Sequence, residues 1–331
     1  MNIIKSPRLF KAAAVILAIL LLLPFLVSCD KNSKSVLTVD GFEVPYHIYR
    51  YVVINSRRDL EAEFGEGVWK SEKADEVKKL LADNVRDTLA NLYTVCSLGR
   101  DYSLTWDSGA VDAQANVEYR EILSEYDGKN AFKSELEALA MTEDTFLFVI
   151  SNDILNNEVF NALISSDKKY TDTDHLDALF AGDEFIRVKQ ILVGGENGNS
   201  DEKNAAKASQ IKERLDLGED FDKLSREYNN DLFMFENDDG YYIMRGTRSF
   251  EFEEAAFALE VGEISDVVKT DAGYSIIKRY EKDADYISEN YQALCDEYYE
   301  SVYTALYEER YDKIMKELTE LPGDIDLITM E

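Results

Sequence analysis

An apolar-faced helix near the C-terminal end of the chain cannot be buried by the residues beside it. Periodicity predicts this helix over about 286–321, where Pro322 and Gly323 end it. Its apolar positions form a stripe and a broader flank: Tyr291, Leu294, Tyr298, Tyr299, Val302, Tyr303, Ala305, Leu306 and Ile314. A helix gains most of its stability by packing such a face. The sequence therefore predicts that this helix packs on N-terminal helices, so that both chain ends build one helical domain.

The N-terminal segment supplies the other helices of that domain. Two short apolar runs flank Asp40-Gly41, a dipeptide typical of a tight hairpin turn. From Val77 to Leu92, apolar residues recur at three- and four-residue steps, and Thr142 is a suitable N-cap. Helices are predicted over about 71–99, 108–126 and 142–165.

The pattern changes at Glu184, which predicts a different kind of domain. Strand-like runs at 185–193, 267–270 and 274–279 are interspersed with helices predicted over about 202–217, 221–228 and 252–259. We therefore predict an α+β fold class. An all-helical domain is built from residues 36–182 and 282–331, and an α+β domain is inserted at 183–281.

The first residues have the parts of an export signal. Three basic residues precede an unbroken apolar stretch from Ala12 to Val27, which is shorter than the roughly 20 residues of a membrane-spanning helix. Leu26-Val27-Ser28-Cys29 resembles the lipobox of bacterial lipoproteins. That resemblance implies a signal peptide at 1–28, an acylated Cys29, a tether at 29–35, and a position on the extracytoplasmic face of the cell membrane. An ordinary signal peptide with an incidental cysteine and an uncleaved anchor are the alternatives.

Charge and residue counts exclude several classes of partner. The formal net charge of −30 becomes about −33 without the basic residues of the signal, and such a surface repels nucleic acid and anionic lipid. Only two histidines occur, His47 and His175, and they lie far apart in the sequence, which disfavours a zinc or haem site. We predict no metal and no cofactor. Cys96 and Cys295 either pair or stay buried thiols.

Ordered motifs within the predicted insertion resemble the parvulin (PpiC, rotamase) family of peptidyl-prolyl cis-trans isomerases. They occupy residues 188–193, 217–224, 240–242, 252–265 and 268–278. The flanking segments are similar to the chaperone domain of the PrsA and SurA foldases, through Val39-Asp40-Gly41, the helix start at 141–146 and the closing helix. Together with the lipobox, these resemblances point to a PrsA-like lipoprotein.

The resemblance implies a site without a nucleophile or metal. Xaa–Pro isomerisation breaks no bond, so the catalyst must only lower the barrier to rotation about the amide, which is ~18–20 kcal/mol for a peptide bond. It places Phe252 in an apolar proline socket and Arg248 at the position of the family's socket methionine. Phe257, Met244 and Phe250 are further socket candidates, the last two as replacements for that methionine.

The same resemblance assigns the polar floor of the site. Asp231 matches the family's Cys/Asp position, whereas Gln190 and Ser275 replace its two histidines. Both side chains still form hydrogen bonds, but neither supplies an imidazole.

These assignments lead to two functional expectations. The first is a membrane-anchored foldase that binds newly secreted, unfolded polypeptides at Xaa–Pro segments and isomerises them. The alternative is a non-catalytic chaperone, a holdase, whose insertion only binds peptide. A solute-binding lipoprotein is disfavoured because it requires two similar α/β lobes. The sequence leaves the clients and homodimerisation open.

Overall fold

The computed structural model describes residues 34–107, 109–170, 172–194, 199–237, 239–323 and 326–330. Over these residues the chain forms two compact units. The first ends at Ala162 and resumes at Tyr307, and the second spans Leu163–Leu306. An N-terminal and a C-terminal segment thus build one unit around an insertion, which confirms the predicted α+β arrangement. Residues 1–28 and Cys29, the predicted signal and lipidation site, lie outside the described residues.

The first unit begins with the predicted hairpin. Strands β1 (Ser35–Val39) and β2 (Phe42–Pro45) pair antiparallel. Asp40 and Gly41 both have positive φ, 45° and 85°, as the two central residues of a type I′ turn require.

Helices make up most of the rest of this unit. They are α1 (Tyr46–Phe64), α2 (Ala74–Asp101), α3 (Gly109–Ser124), α4 (Lys129–Ala138) and α5 (Glu143–Ser166), with a 3₁₀ turn at Glu66–Lys70. The apolar stripe of α2 is buried at Val77, Leu81, Val85 and Leu89. The Thr142 hydroxyl accepts a hydrogen bond from the Thr145 amide at 3.0 Å, which confirms the predicted cap of α5.

The second unit holds a four-stranded antiparallel sheet of order β4-β3-β6-β5. Its strands are β3 (Phe185–Gly194), β4 (Tyr241–Met244), β5 (Val268–Thr270) and β6 (Gly273–Tyr280). Its helices are α6 (Thr173–Ala181), α7 (Asp201–Asp216), α8 (Phe221–Tyr228), α9 (Phe233–Glu236), α10 (Phe250–Ala258) and α11 (Ala284–Glu289), with a 3₁₀ turn at Lys168–Tyr170. The predicted strands are confirmed, and β4 is a strand that the sequence did not predict.

Alternation along the strands divides the core of this unit between the two faces of the sheet. On one face, Ile191, Val193 and Ile276 pack against α7 and α8. On the opposite face, Val188, Ile243 and Ile277 pack against α10 through Phe252 and Ala256. Side chains at alternate positions of a strand share a face, so Gln190 belongs with Val188 and Ser275 with Ile277.

The last helix, α12 (Tyr291–Glu317), is shared between the units. Leu294 and Cys295, near its start, pack in the second unit with Phe180 and Phe185. From Tyr307 onward it belongs to the first unit, where the Tyr307 hydroxyl donates to the Asn91 carbonyl of α2 at 3.1 Å. The expected return to the N-terminal helices is therefore made by the second half of the helix.

Cys96 and Cys295 do not pair with each other in this structure. Cys96 and Cys295 are buried free thiols, one in each unit. Burial raises the pKa of the Cys96 thiol to about 12, so this thiol stays protonated and unreactive at neutral pH.

A buried carboxylate links the hairpin turn to two helices of the first unit. Asp40 accepts hydrogen bonds from the Ser97 hydroxyl (2.5 Å), from Arg100 Nη2 (2.5 Å) and from Lys313 Nζ (3.3 Å). Burial acts to raise the pKa of Asp40, but the hydrogen bonds from Ser97, Lys313 and Arg100 lower it below its ordinary value. The ionised form is therefore the form that the fold stabilises.

We expect Asp40→Asn to lower the free energy of unfolding of the first unit by about 1.5–3 kcal/mol at pH 7, the range for hydrogen bonds to a charged group. Because the pKa of Asp40 is lower in the folded state than in the unfolded state, where it is 3.8, the ionised carboxylate stabilises the fold fully above pH 3.8. This stabilisation is lost as the pH falls through the folded-state pKa, so the difference in free energy of unfolding between wild type and variant should shrink in acid. Urea unfolding at pH 7 and pH 3 measures this. Exposed Asp312→Asn is the control, and an equal effect of both variants would contradict the assignment.

Candidate functional site

Four side chains form one hydrogen-bonded chain on the sheet face that α10 covers. The Ser275 hydroxyl on β6 donates to Gln190 Oε1 on β3 at 2.8 Å. Gln190 Nε2 donates to Asp231 Oδ2 at 2.7 Å, and the Tyr241 hydroxyl on β4 donates to the same oxygen at 2.7 Å. The structure thus brings the three expected floor residues together and adds Tyr241 to them.

The loop after α8 holds Asp231 in place. The Asn229 side chain bonds β3 twice, accepting from the Leu192 amide and donating to the Gln190 carbonyl, each at 2.8 Å. Its Oδ1 also accepts from the Asp231 amide at 3.0 Å, and Asp231 Oδ1 accepts from the Phe233 amide at 3.1 Å. Only 8% of Asp231 is exposed. The carboxylate is therefore fixed by backbone contacts as well as by its side-chain partners.

A glycine sets the position of Tyr241. Gly240 has φ +80°, and a Cβ at this residue would lie 2.5 Å from the Val188 carbonyl oxygen. The close approach lets β4 begin directly opposite β3, with Tyr241 paired to Val188. Neither Tyr241 nor Asn229 is among the residues that the sequence predicts for the site. The sequence features that could have indicated them are the Gly240-Tyr-Tyr motif for Tyr241 and the Asn-Asn pair before Asp231 for Asn229.

The charge of Asp231 affects its tyrosine partner. Burial, and then the hydrogen bond and negative charge of Asp231, raise the pKa of Tyr241 well above its ordinary value, and Arg248 opposes this shift. The Tyr241 hydroxyl consequently stays protonated and donates throughout the neutral range. The Asp231 carboxylate thus has its donors, Gln190 and Tyr241, already in place, and it lies at the edge of an apolar layer.

The apolar layer beside this chain contains Phe252. Its ring is 6% exposed and packs with Ile186, Val188, Ile243 and Ile277. Phe257 is half-buried against the same cluster, and the Arg245 guanidinium lies over its ring, with Cζ 4.5 Å from the centroid. The structure therefore places both predicted socket phenylalanines on the sheet face that carries the polar chain.

The other socket candidates have different surroundings. Arg248 is exposed, and its guanidinium lies over the Tyr241 ring, with Cζ 4.2 Å from the centroid. Phe250 is 74% exposed at the start of α10. Met244 is buried on the opposite sheet face with Phe185 and α12. This placement corrects the expectation that Met244 substitutes for the socket methionine, because it follows Ile243 in the strand and so points to the other face.

No group of three or more His, Cys, Asp or Glu in the described part of the chain is arranged to hold a metal ion. None of the helices described here has the length and apolar character needed to cross a bilayer.

Comparison with known proteins gives one family match, to the PPIC-type PPIASE domain over residues 185–281. The foldase protein PrsA of Geobacillus kaustophilus is 46% identical over 99 residues, which are 30% of this chain and 32% of that relative. The match thus spans about a third of that relative's length. The foldase protein PrsA of Caldanaerobacter subterraneus is 27% identical over 276 residues, 80% of this chain and 81% of that protein. The crystal structure of PrsA from Bacillus anthracis is 22% identical, with a TM-score of 0.42, and the match covers 72% of this chain and all of that one.

Proposed function

We propose that this chain, which is similar to PrsA foldases and has a PPIC-type rotamase domain over residues 185–281, is a membrane-anchored foldase of the extracytoplasmic space. In this proposal it binds secreted polypeptides as they emerge and accelerates isomerisation of their Xaa–Pro bonds. The observation that carries the proposal is the chain Ser275–Gln190–Asp231–Tyr241 lying on the same sheet face as Phe252.

The proposed mechanism needs only binding and electrostatics. A planar amide places partial negative charge on its carbonyl oxygen, and a fixed carboxylate close to that oxygen disfavours the planar form more than the twisted one. Asp231 is held to supply that charge, and its bonds from Gln190 and Tyr241 keep it from rotating away. Phe252 and Phe257 supply the apolar wall that removes water from the proline ring. No step requires a proton to leave the substrate.

The enzyme and holdase alternatives separate in a refolding assay. The holdase is favoured by one observation, that Gln190 and Ser275 stand where the family has histidines. With a client whose refolding is limited by proline isomerisation, an enzyme accelerates the slow phase at a small fraction of the client concentration. A holdase suppresses aggregation only near stoichiometric amounts and leaves the slow phase unchanged. That second outcome would overturn the enzymatic proposal.

The proposed anchor is tested separately. Because one acyl chain binds a membrane weakly and two bind it stably, a diacylated Cys29 would keep the chain in the membrane fraction. Labelled palmitate should be incorporated into the wild-type chain and not into Cys29→Ser. Equal labelling of both, or release of the wild type into the medium, would contradict a lipid anchor at this residue.

A further inference from the structure

Two arginines three residues apart, between β4 and α10, have different electrostatic surroundings. Arg245 is paired, since its guanidinium lies 3.1 Å from Glu254 and 3.7 Å from Glu184. Arg248 forms no ion pair with any carboxylate of the described residues, although its neighbours on α10 are acidic. Arg248 is thus an exposed cation at the site, without a carboxylate partner among the described residues, in a chain of net charge −30.

The surroundings of Arg248 leave its charge available. The Glu253 carboxylate on α10 accepts hydrogen bonds from the backbone amides of Arg248 at 2.8 Å and Gly246 at 3.0 Å. Glu297 on α12 is close enough for Arg248 to lower its pKa, but burial dominates and raises that pKa above the ordinary value. Neither carboxylate pairs with the guanidinium.

The position of the guanidinium is fixed by an aromatic ring that belongs to the site. Arg248 lies over Tyr241, whose hydroxyl bonds Asp231. A guanidinium packed on a ring keeps its N–H donors directed outward in its own plane, in the fork geometry that matches a carboxylate. The cation is therefore held one aromatic ring away from the carboxylate that we propose acts on the Xaa–Pro amide.

We propose that Arg248 selects substrates in which an acidic residue directly precedes the proline. This inference rests on the proposed function, because it takes the Asp231 chain as the place where the Xaa–Pro amide lies. An extended peptide advances about 3.3–3.6 Å per residue, so the side chain of the preceding residue stays close to that amide and within reach of Arg248. A Glu or Asp carboxylate then receives the free donors, whereas a Lys side chain meets a like charge.

The test uses the full-length chain and three fluorescent peptides, Ala-Glu-Pro-Phe, Ala-Gln-Pro-Phe and Ala-Lys-Pro-Phe. Binding is measured by anisotropy, and isomerisation is measured as kcat/KM. We expect the Glu peptide to bind about three- to tenfold more tightly than the Gln peptide, and the Lys peptide to bind most weakly. The preference should fall as salt is raised, as for any exposed charge pair. Arg248→Met should bring the Glu/Gln ratio close to one, and Arg248→Lys should keep part of it.

Arg245→Met is the matched control, since it removes a neighbouring arginine that also lies on a ring but is already paired. It should leave the Glu/Gln ratio unchanged. Equal binding of the Glu and Gln peptides, no binding of any peptide, or a preference that survives in Arg248→Met would overturn the inference. Isomerisation of all three peptides at one rate would leave the proposed activity intact while removing the specificity. A preference for the Glu peptide in binding, without isomerisation of any peptide, would support the specificity and contradict the proposed isomerase activity.

Discussion

Asp231→Asn is expected to lower kcat/KM for an Xaa–Pro peptide by about 10²-fold, the usual cost of losing one electrostatic group at a reacting centre. The substitution removes the negative charge that the proposed mechanism places at the twisting amide. It also leaves Gln190 and Tyr241 donating to a neutral amide group in place of a carboxylate oxygen. The reduction should appear mainly in kcat, because binding of the proline depends on the apolar wall around Phe252.

Asp271→Asn is the control for this prediction, since Asp271 is an exposed aspartate at the β5–β6 turn of the same sheet. It should retain full activity. A circular dichroism melting curve for each variant separates loss of chemistry from loss of fold, because Asn229 still fastens the loop to β3 in Asp231→Asn. Wild-type activity in a folded Asp231→Asn would remove this residue from the mechanism.

Leu89→Ala is expected to lower the free energy of unfolding of the first unit by about 2–5 kcal/mol, as large-to-small changes in a packed core do. Leu89 lies at the centre of the buried stripe of α2 and is 0% exposed. The second unit has a core of its own, so the rate of peptide isomerisation should not change at temperatures below the first transition.

Leu80→Ala provides the matched control, because it removes the same atoms from the same helix at a residue that is 36% exposed. Its effect should be well under half that of Leu89→Ala. Calorimetry, together with the peptide assay on the same samples, measures both quantities. A parallel loss of isomerisation in Leu89→Ala would contradict two units with separate cores.

Local signals in the sequence predicted much of the fold correctly. The Asp-Gly turn, the stripe of α2, the Thr142 cap and the change of period at Glu184 each depend on contacts within a few residues, which a sequence displays directly. The division of α12 was not predictable in this way. Its apolar residues cover more than one side, so periodicity indicates that the helix is buried without indicating which unit buries each half.

The candidate site shows the same limit. Asp231, Gln190 and Ser275 were selected because they stand at the family's motif positions, and the structure brings them within hydrogen-bond distance. The absence of Tyr241 from the predicted site and the wrong placement of Met244 have a common reason. The four-residue strand β4 was not recognised, and without it the alternation that directs Tyr241 to the site and Met244 away from it could not be read.

The most direct test of the account is the cis-trans exchange rate of an Ala-Glu-Pro-Phe peptide, measured by NMR exchange spectroscopy with the full-length chain at a hundredth of the peptide concentration. Uncatalysed exchange takes tens to hundreds of seconds, so catalysis is readily detected. We expect exchange well above the buffer rate with the wild type and close to the buffer rate with Asp231→Asn. Exchange at the buffer rate with the folded wild-type chain would show that this site, built without imidazoles, does not isomerise prolyl bonds.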